Sequence, residues 1–251
     1  MLDCYVINLD RDTKRWRRIE ETFASVSLRV IRVPAIDVSQ DPRYLEDHFF
    51  CADRFHRQLN RSATNGEIGC YGSHLKAMKL FLETAAPCAI IAEDDICPCI
   101  NAVEILELCK EYSHLWDLLR LAKCRTKNFF PYTELMSGIY LGTNVTGFSY
   151  TAAYMINRRA AEFFTNHLVP MTLPYDLALF SGREEIREMS VVPGVFHPNE
   201  MEKESTICGR EQRKIFGKHW LVSRFTKIRL RYVRYKLQRK RIRELQKLKM
   251  K

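Results

Sequence analysis

Three consecutive acids, Glu93, Asp94 and Asp95, are the residues whose types and spacing most directly suggest chemistry. They follow a continuous apolar run at residues 88–92, which is typical of a strand buried on both faces. Carboxylates this close together repel one another and resist the loss of water. A divalent cation that prefers oxygen ligands, Mn²⁺ or Mg²⁺, would resolve that conflict and could hold a diphosphate at the carboxyl end of the strand. A solvated acidic turn is the alternative.

Two further elements must position these acids. Between residues 68 and 82, apolar residues recur in steps of three and four, which predicts a helix just before the strand. Near the start of the chain, an apolar strand at residues 5–9 leads through a turn into a basic helix that begins near Thr13. Such an arrangement could meet a nucleotide, with arginines pairing with its phosphates. A surface helix with solvated arginines explains the same pattern.

The order and spacing of several short phrases resemble glycosyltransferase family 25. That family holds bacterial lipooligosaccharide galactosyltransferases and animal procollagen galactosyltransferases. The resemblance covers roughly residues 4–207. The matching segments are Asn8-Leu9 with Arg11, residues 34–37, the phrase GEIGC at 66–70, Ser73-His74, the acids at 93–95, residues 152–164, Pro174-Tyr175-Asp176, and residues 205–207.

The resemblance implies an α/β chain of GT-A type, with a mostly parallel central sheet flanked by helices. It also implies an inverting hexosyltransferase, which moves galactose from UDP-galactose to a saccharide acceptor in lipooligosaccharide synthesis. Inversion requires one in-line displacement, in which a general base takes the acceptor proton and a divalent cation, Mn²⁺ in the first place, stabilises the leaving diphosphate.

Three roles are then predicted for eleven side chains. Metal ligation is predicted for Glu93, Asp95 and His197; donor binding for Asn8, Leu9, Arg11, Arg15, Glu67, His74 and Asp94; and general-base catalysis or a sugar contact for Asp176.

Some of these residues have structural explanations as well. His74 could be a buried histidine on the helix face. Asp176 could be a helix cap or a first-turn acid. His197 is included because imidazole accepts Mn²⁺.

The sequence leaves three alternative functions open. Met78 stands where family 25 commonly has Trp, and Gly72 is unusual in its phrase, so glucose is an alternative to galactose. A metal-dependent nucleotide hydrolase or phosphodiesterase would use the same acids but needs a second metal cluster. A catalytically silent protein docked to a membrane or to nucleic acid is a third possibility. The chain has no glycine-rich nucleotide loop of the dinucleotide or Walker type, and no Gly-x-Ser-x-Gly elbow.

Composition is that of an ordinary globular protein, with 46% hydrophobic and 28% charged residues and no apolar run near the ~20 residues that span a bilayer. No basic stretch followed by an apolar run precedes the first strand, so we expect no signal peptide and reduced, cytosolic cysteines.

The long polar segment 38–66 is predicted to be a binding loop, and residues 124–146 an irregular loop on the acceptor side.

The charge is concentrated at the end of the chain. Residues 218–251 contain 14 Lys or Arg and one acid, a charge of +13, so the total of +10 leaves −3 for the other 217 residues. This split predicts a catalytic domain at 1–217 and a basic tail at 218–251, and no nucleic-acid-binding surface on the body.

An apolar stripe among the basic residues favours a peripheral helix on the anionic, cytoplasmic face of the inner membrane. A helix packed on the domain, a dimerising coiled coil and a nucleic-acid arm remain as rivals. The stripe consists of Leu221, Phe225, Ile228, Tyr232, Tyr235, Ile242 and Leu245.

Overall fold

The structure, a computed structural model, describes residues 1–122, 128–145, 151–199 and 220–250. Its strands are β1 (Leu2–Asn8), β2 (Leu28–Pro34), β3 (Cys88–Glu93), β4 (Ile96–Pro98), β5 (Leu118–Arg120), β6 (Phe129–Met136), β7 (Ile139–Asn144), β8 (Ala153–Asn157), β9 (Glu188–Val192) and β10 (Phe196–Pro198). Its helices are α1 (Thr13–Phe23), α2 (Ala52–Leu59), α3 (Asn65–Leu82), α4 (Ala102–Glu111), α5 (Arg158–His167), α6 (Tyr175–Leu179) and α7 (Trp220–Lys249), with short 3-10 turns at Pro42–Leu45 and Ser113–Leu115.

Eight of these strands form one mixed sheet in the order β2-β1-β3-β8-β5-β9-β7-β6. The pairs β1–β2, β1–β3 and β5–β9 are parallel, and the other pairs are antiparallel. Six strands therefore run in one direction, while β7 and β8 oppose them. The predicted α/β class and the mainly parallel direction of the sheet are confirmed, with two reversed strands as the departure.

Helices cover both faces of the sheet, as the unbroken apolar run of β3 predicts. Alternate residues of β1 and β3 enter two different apolar clusters: Tyr5 and Ile91 pack in one, and Val6 and Ile90 in the other. This alternation places each strand between two hydrophobic layers, because successive side chains of a strand point to opposite faces. The acids that follow β3 therefore stand at the end of a rigid, buried strand.

Two predicted loops contain regular structure. Residues 38–66 include a 3-10 turn and helix α2, whose apolar residues Phe55 and Leu59 are buried against the core. The described part of the segment 124–146 is the antiparallel pair β6–β7 at the edge of the sheet, so the prediction of an irregular loop there was wrong. The Ser-Thr-Ile phrase at 205–207 and the predicted domain boundary near 217 lie outside the described residues.

The C-terminal helix predicted from the tail is α7, and its two halves have different surroundings. In its second half, Ile242 and Leu245 are buried against the domain. Arg234 forms an ion pair with Glu188 at 3.3 Å, and Lys240 forms one with Glu184 at 2.6 Å. In its first half, the apolar stripe is exposed. None of the helices formed by the described residues is long and apolar enough to cross a bilayer.

One buried carboxylate ties the far half of the sheet together. Asp117, which precedes β5, accepts hydrogen bonds from Arg187 ahead of β9 and from Asn157 and Arg159 at the start of α5. Burial raises the pKa of Asp117, but the hydrogen bonds from Arg187 and Asn157 outweigh burial and lower the pKa from 3.8 to about 2. Asn157 also caps α5, as predicted, by accepting from the Ala160 amide.

We predict that Asp117→Asn lowers the free energy of unfolding by about 2 kcal/mol at pH 7, because a lowered pKa of this size stabilises the folded state by that amount. The folded pKa lies below the unfolded one. The stabilisation is therefore complete above about pH 4 and is lost as the pH falls towards 2. Urea unfolding at pH 7, 4 and 3 measures the effect. Asp47→Asn, an exposed acid, is the control, and equal stability of both variants at pH 7 would contradict the assignment.

Candidate active site

A cavity of about 350 Å³ opens at the carboxyl ends of β1 and β3. In the sheet, β2 lies on one side of β1 and β3 lies on the other. The connections that lead to these two strands therefore diverge at the carboxyl end of β1. Ligands of open α/β sheets bind at such a switch point. The cavity walls come from the end of β1, the start of α1, residues 35–39, the first half of α3 and the acids after β3. Of the predicted site residues, this wall includes Leu9, Arg11, Arg15, His74, Glu93, Asp94 and Asp95.

The three acids are not equivalent. Asp94 is held by two side chains: its Oδ2 accepts from Asn8 Nδ2 at 2.7 Å, and its Oδ1 accepts from Arg15 Nη1 at 2.9 Å. Its side chain is only 10% exposed. Glu93 is 32% exposed and faces the cavity. Asp94 therefore anchors the turn, and Glu93 and Asp95 are the carboxylates that could meet a ligand.

Asn8 is the residue that joins the elements around the cavity. Its amide nitrogen donates to Asp94 and to the carbonyl of Asp12, where α1 begins. Its oxygen accepts from Arg32 on β2, at 3.0 Å from Nε and 2.7 Å from Nη2. Asn8 is 1% exposed and does not line the cavity. In this structure the Asn8 side chain positions these elements, and its donor contact stays a prediction.

Negative charge dominates the cavity. Its wall carries five carboxylates and two guanidinium groups, an excess of three negative charges. The guanidinium of Arg15 is paired with Asp94, and that of Arg11 with Asp37. Asp12 Oδ2 is buried and has no hydrogen-bond partner among the described residues. A wall of this charge attracts cations, and its carboxylate oxygens suit Mn²⁺ or Mg²⁺.

Comparison with known proteins decides the family. The model of glycosyltransferase family 25 (LPS biosynthesis protein) matches residues 1–179. The chain belongs to glycosyltransferase family 25. It is therefore a glycosyltransferase by family, with a sugar donor and an acceptor as its reactants.

Individual relatives agree with this membership. A provisionally named glycosyltransferase of Haemophilus influenzae is 26% identical over 93% of this chain and 84% of its own length. Family 25 members of Drosophila pseudoobscura and Anopheles gambiae are 29% and 33% identical over 49% and 37% of this chain. The matched regions are only 21% and 16% of those two insect proteins, so the chain corresponds to a part of them.

Besides Asn8, three further residues predicted for the site lie outside the cavity wall. Glu67 is buried at the start of α3, where it forms a capping box with Thr64 and accepts from Arg61 at 2.6 and 2.7 Å. Asp176 is half-buried in the first turn of α6, and its Oδ1 accepts from the Leu177 amide. His197 lies on β10, opposite Cys97 on β4, in the short strand pair next to the acids.

Behind the cavity, His74 is completely buried on α3. Its ring stacks on Tyr175 with centroids 4.1 Å apart, and its Nδ1 lies 3.2 Å from the Tyr154 hydroxyl. The Tyr154 and Tyr175 hydroxyls are 2.7 Å apart. Burial raises the pKa of both phenols well above the usual value, so both stay protonated. His74 is therefore the buried helix-face histidine of the sequence alternative and also lines the cavity, and its donor contact stays a prediction.

Two residues of the family 25 phrase have roles that the sequence reasoning missed. A Cβ on Gly69 would lie 2.4 Å from the Ile36 carbonyl oxygen, so only glycine allows this approach. Ser73 Oγ accepts from the Ile36 amide at 2.8 Å and donates to the Gly69 carbonyl at 2.6 Å. Together they hold residues 35–39 against α3 and shape one wall. A glycine and a serine four residues apart on a predicted helix were the available signal.

We predict that Asn8→Asp lowers the free energy of unfolding by roughly 2 kcal/mol and weakens donor binding. The change removes the donor to Asp94 and places two largely buried carboxylates in contact, with one arginine each, Arg32 and Arg15, as partners. Thermal melting and donor titration measure the two effects. Asn166→Asp makes the same change in charge at an exposed position and is the control. An Asn8 variant as stable as that control would show that the link between β1 and β3 is not needed.

Proposed function

We propose that this family 25 protein is an inverting hexosyltransferase with a GT-A-type fold, which uses a UDP-sugar and a divalent cation. The observation that carries the proposal is the cavity at the β1/β3 switch point, whose wall has an excess of three negative charges. Such a wall repels a nucleotide diphosphate unless a cation is bound with it. UDP-galactose is the proposed donor because family 25 holds galactosyltransferases. Lipooligosaccharide is the proposed acceptor, as the family description names LPS biosynthesis.

The residues have distinct proposed roles. Glu93 and Asp95 hold the cation, with Mn²⁺ ahead of Mg²⁺, and the cation supplies charge stabilisation to the leaving diphosphate. Arg15 and Asn8 keep Asp94, and with it the acidic turn, in place. Arg11, which is 61% exposed, can turn from Asp37 towards a phosphate. His197, next to the acidic turn on β10, remains a proposed further ligand.

Asp176 is the proposed general base. The support for this role is the Pro174-Tyr175-Asp176 phrase of the family, since neither Tyr175, whose ring stacks on the cavity residue His74, nor Asp176 lines the cavity. A base that takes the acceptor proton should affect turnover and leave donor affinity intact. Its half-buried position in a first helical turn would need an acceptor that reaches beyond the cavity mouth.

The identity of the hexose rests on the family. Met78, which differs from the common Trp, is fully buried in the core and does not line the cavity. Gly72 contacts the wall indirectly, since a Cβ there would lie 2.8 Å from the Ile36 side chain. Of the two departures, Gly72 is therefore the one that can influence sugar choice, and UDP-glucose is the competing donor.

The first test is a screen of UDP-galactose and UDP-glucose for binding and hydrolysis, with Mn²⁺, with Mg²⁺ and with chelator.

We predict that Asp95→Asn removes cation-dependent donor binding, because the amide keeps the shape but loses the charge. In contrast, Asp176→Asn should keep donor affinity and lose about 10²–10⁴-fold in turnover. Asp53→Asn, an exposed acid on α2, is the control. Full donor affinity in a folded Asp95 variant would remove the metal assignment, and loss of donor affinity at Asp176 would make it a binding residue.

We also propose that the first half of α7 rests on an anionic membrane, where a lipid-borne acceptor is found. Its apolar side chains are exposed to 58% at Leu221, 67% at Phe225, 54% at Ile228 and 64% at Tyr232. Exposed basic residues lie between them, including Lys227, Arg229 and Arg231. An apolar stripe among lysines and arginines matches the headgroup boundary of an anionic bilayer. The protein would then act as a peripheral enzyme on the cytoplasmic face.

Since the second half of α7 packs on the domain, point variants test this better than truncation does. We predict that changing Lys227, Arg229 and Arg231 to Gln weakens binding to anionic liposomes on the order of 100-fold at low salt, at about 1 kcal/mol per charge. Phe225→Ser with Tyr232→Ser should weaken it too. Changing Lys14, Arg17 and Lys79 to Gln removes three exposed charges on α1 and α3 and is the control. Co-sedimentation that is the same for all variants, or self-association through α7 without lipid binding, would reject the membrane role.

A further inference from the structure

A cysteine, a histidine and a glutamate meet in the wall of the cavity. Cys70 and His74 lie four residues apart on α3 and therefore on the same face of the helix. Glu93 approaches them from the end of β3, with its Oε1 3.5 Å from His74 Nε2. One ligand atom from each of the three residues lies within 4.8 Å of the others. The three residues also line the cavity, so an ion from solvent can reach them.

The spacing of these atoms suits a tetrahedral metal. Two ligand atoms at zinc–nitrogen and zinc–oxygen distances of 2.0–2.1 Å are about 3.3 Å apart in tetrahedral geometry. The separation of 3.5 Å between His74 and Glu93 is close to this value. Pairs on one helix face four residues apart are also how zinc-binding helices present two ligands. A shift of about an ångström in the Cys70 side chain would complete three ligands.

The surroundings of His74 favour a ligand at Nε2. This nitrogen is buried and makes no hydrogen bond among the described residues, although a carboxylate stands before it. The other nitrogen, Nδ1, lies 3.2 Å from the Tyr154 hydroxyl, which in turn is paired with the Tyr175 hydroxyl. Metal-binding histidines typically donate their second N–H to such a partner, which fixes the ring. With Nδ1 donating to Tyr154, the Nε2 lone pair points to the place where an ion would sit.

We propose that Cys70, His74 and Glu93 form a site for a thiophilic divalent metal, Zn²⁺. This site differs from the oxygen-rich cation site by its thiolate and imidazole ligands, although both sites use Glu93. Thiolate and imidazole select zinc, whereas Mn²⁺ and Mg²⁺ prefer oxygen. Metal binding releases the Cys70 thiol proton to solvent and leaves one coordination position open to the cavity.

The shared carboxylate has a functional consequence, which rests on the proposed function. Glu93 cannot hold two metals of different geometry at once. Zn²⁺ at this site would therefore compete with the cation of the donor complex and reduce glycosyl transfer. Excess Mn²⁺ should relieve this inhibition, and Cys70→Ser should make it weaker.

The decisive experiment reads the metal directly and needs no donor. Chelator-treated protein is titrated with Co²⁺, which reports a thiolate ligand by a near-ultraviolet charge-transfer band and tetrahedral geometry by intense visible bands. We expect one equivalent of Co²⁺ to give both signals and Zn²⁺ to displace it. Cys70→Ser should lose the thiolate band. Tyr154→Phe should weaken binding about 10–100-fold, the usual effect of removing the partner of a metal-bound histidine.

Cys51→Ser is the matched control, because Cys51 is a half-buried free cysteine outside the cavity wall. It should keep both signals. Circular dichroism and thermal melting establish that each variant is folded, and the near-isosteric Cys70→Ser carries the test if Tyr154→Phe does not fold. Absence of a thiolate band in the wild-type protein, or its persistence in Cys70→Ser, would overturn the proposal. Neither result would affect the hexosyltransferase proposal, which depends on Mn²⁺ and the UDP-sugar.

Discussion

The hydrogen bond from Asn8 to Asp94 is the contact on which the geometry of the cavity depends. It joins the carboxyl ends of β1 and β3, residues 86 positions apart in the chain. The same amide group binds the start of α1 and Arg32 of β2, so three parallel strands and a helix are fixed relative to one another. Both polar atoms of the Asn8 side chain have partners, and these hydrogen bonds offset the cost of removing the amide from water. Movement of any one of these elements would break contacts in all of them.

This contact makes the three neighbouring acids differ in how free their carboxylates are to meet a ligand. Asp94 is neutralised by Arg15 and locked, whereas the carboxylate of Glu93 faces the cavity. An excess of negative charge at the mouth of a low-dielectric cleft attracts cations and repels anions. The proposed cation-dependent binding of a UDP-sugar relies on this attraction of a cation to the cleft.

The C-terminal helix shows how one sequence pattern can serve two environments. Its basic residues include Arg234 and Lys240, which pair with Glu188 and Glu184 of the domain, and others that are exposed to solvent. Its apolar stripe likewise divides: Leu245 is fully buried, and Phe225 is 67% exposed. A buried ion pair near the middle of the helix orients the exposed half. A membrane-binding surface would thus be held rigidly to the catalytic domain.

Much of the local structure follows from sequence alone, because local structure depends on periodicity and capping. The steps of three and four between 68 and 82 predict α3, the apolar run predicts the doubly buried β3, and Asn157 predicts the cap of α5. The acids after β3 and the Gly-Glu-Ile-Gly-Cys phrase likewise identified the family and most of the cavity wall. The β6–β7 pair escaped prediction because its two strands carry mixed polar and aromatic residues without clear alternation.

Only the tertiary structure decided which side chains face the cavity and which hold it together. Asn8 and Glu67 are polar residues of recognised motifs, yet one links three strands and the other caps a helix. Sequence cannot separate a ligand contact from a structural hydrogen bond, since both use the same atoms. Cys70, His74 and Glu93 are brought together by the packing of α3 against the end of β3. Residue types and helix spacing are written in the sequence, but which groups meet depends on contacts between distant segments.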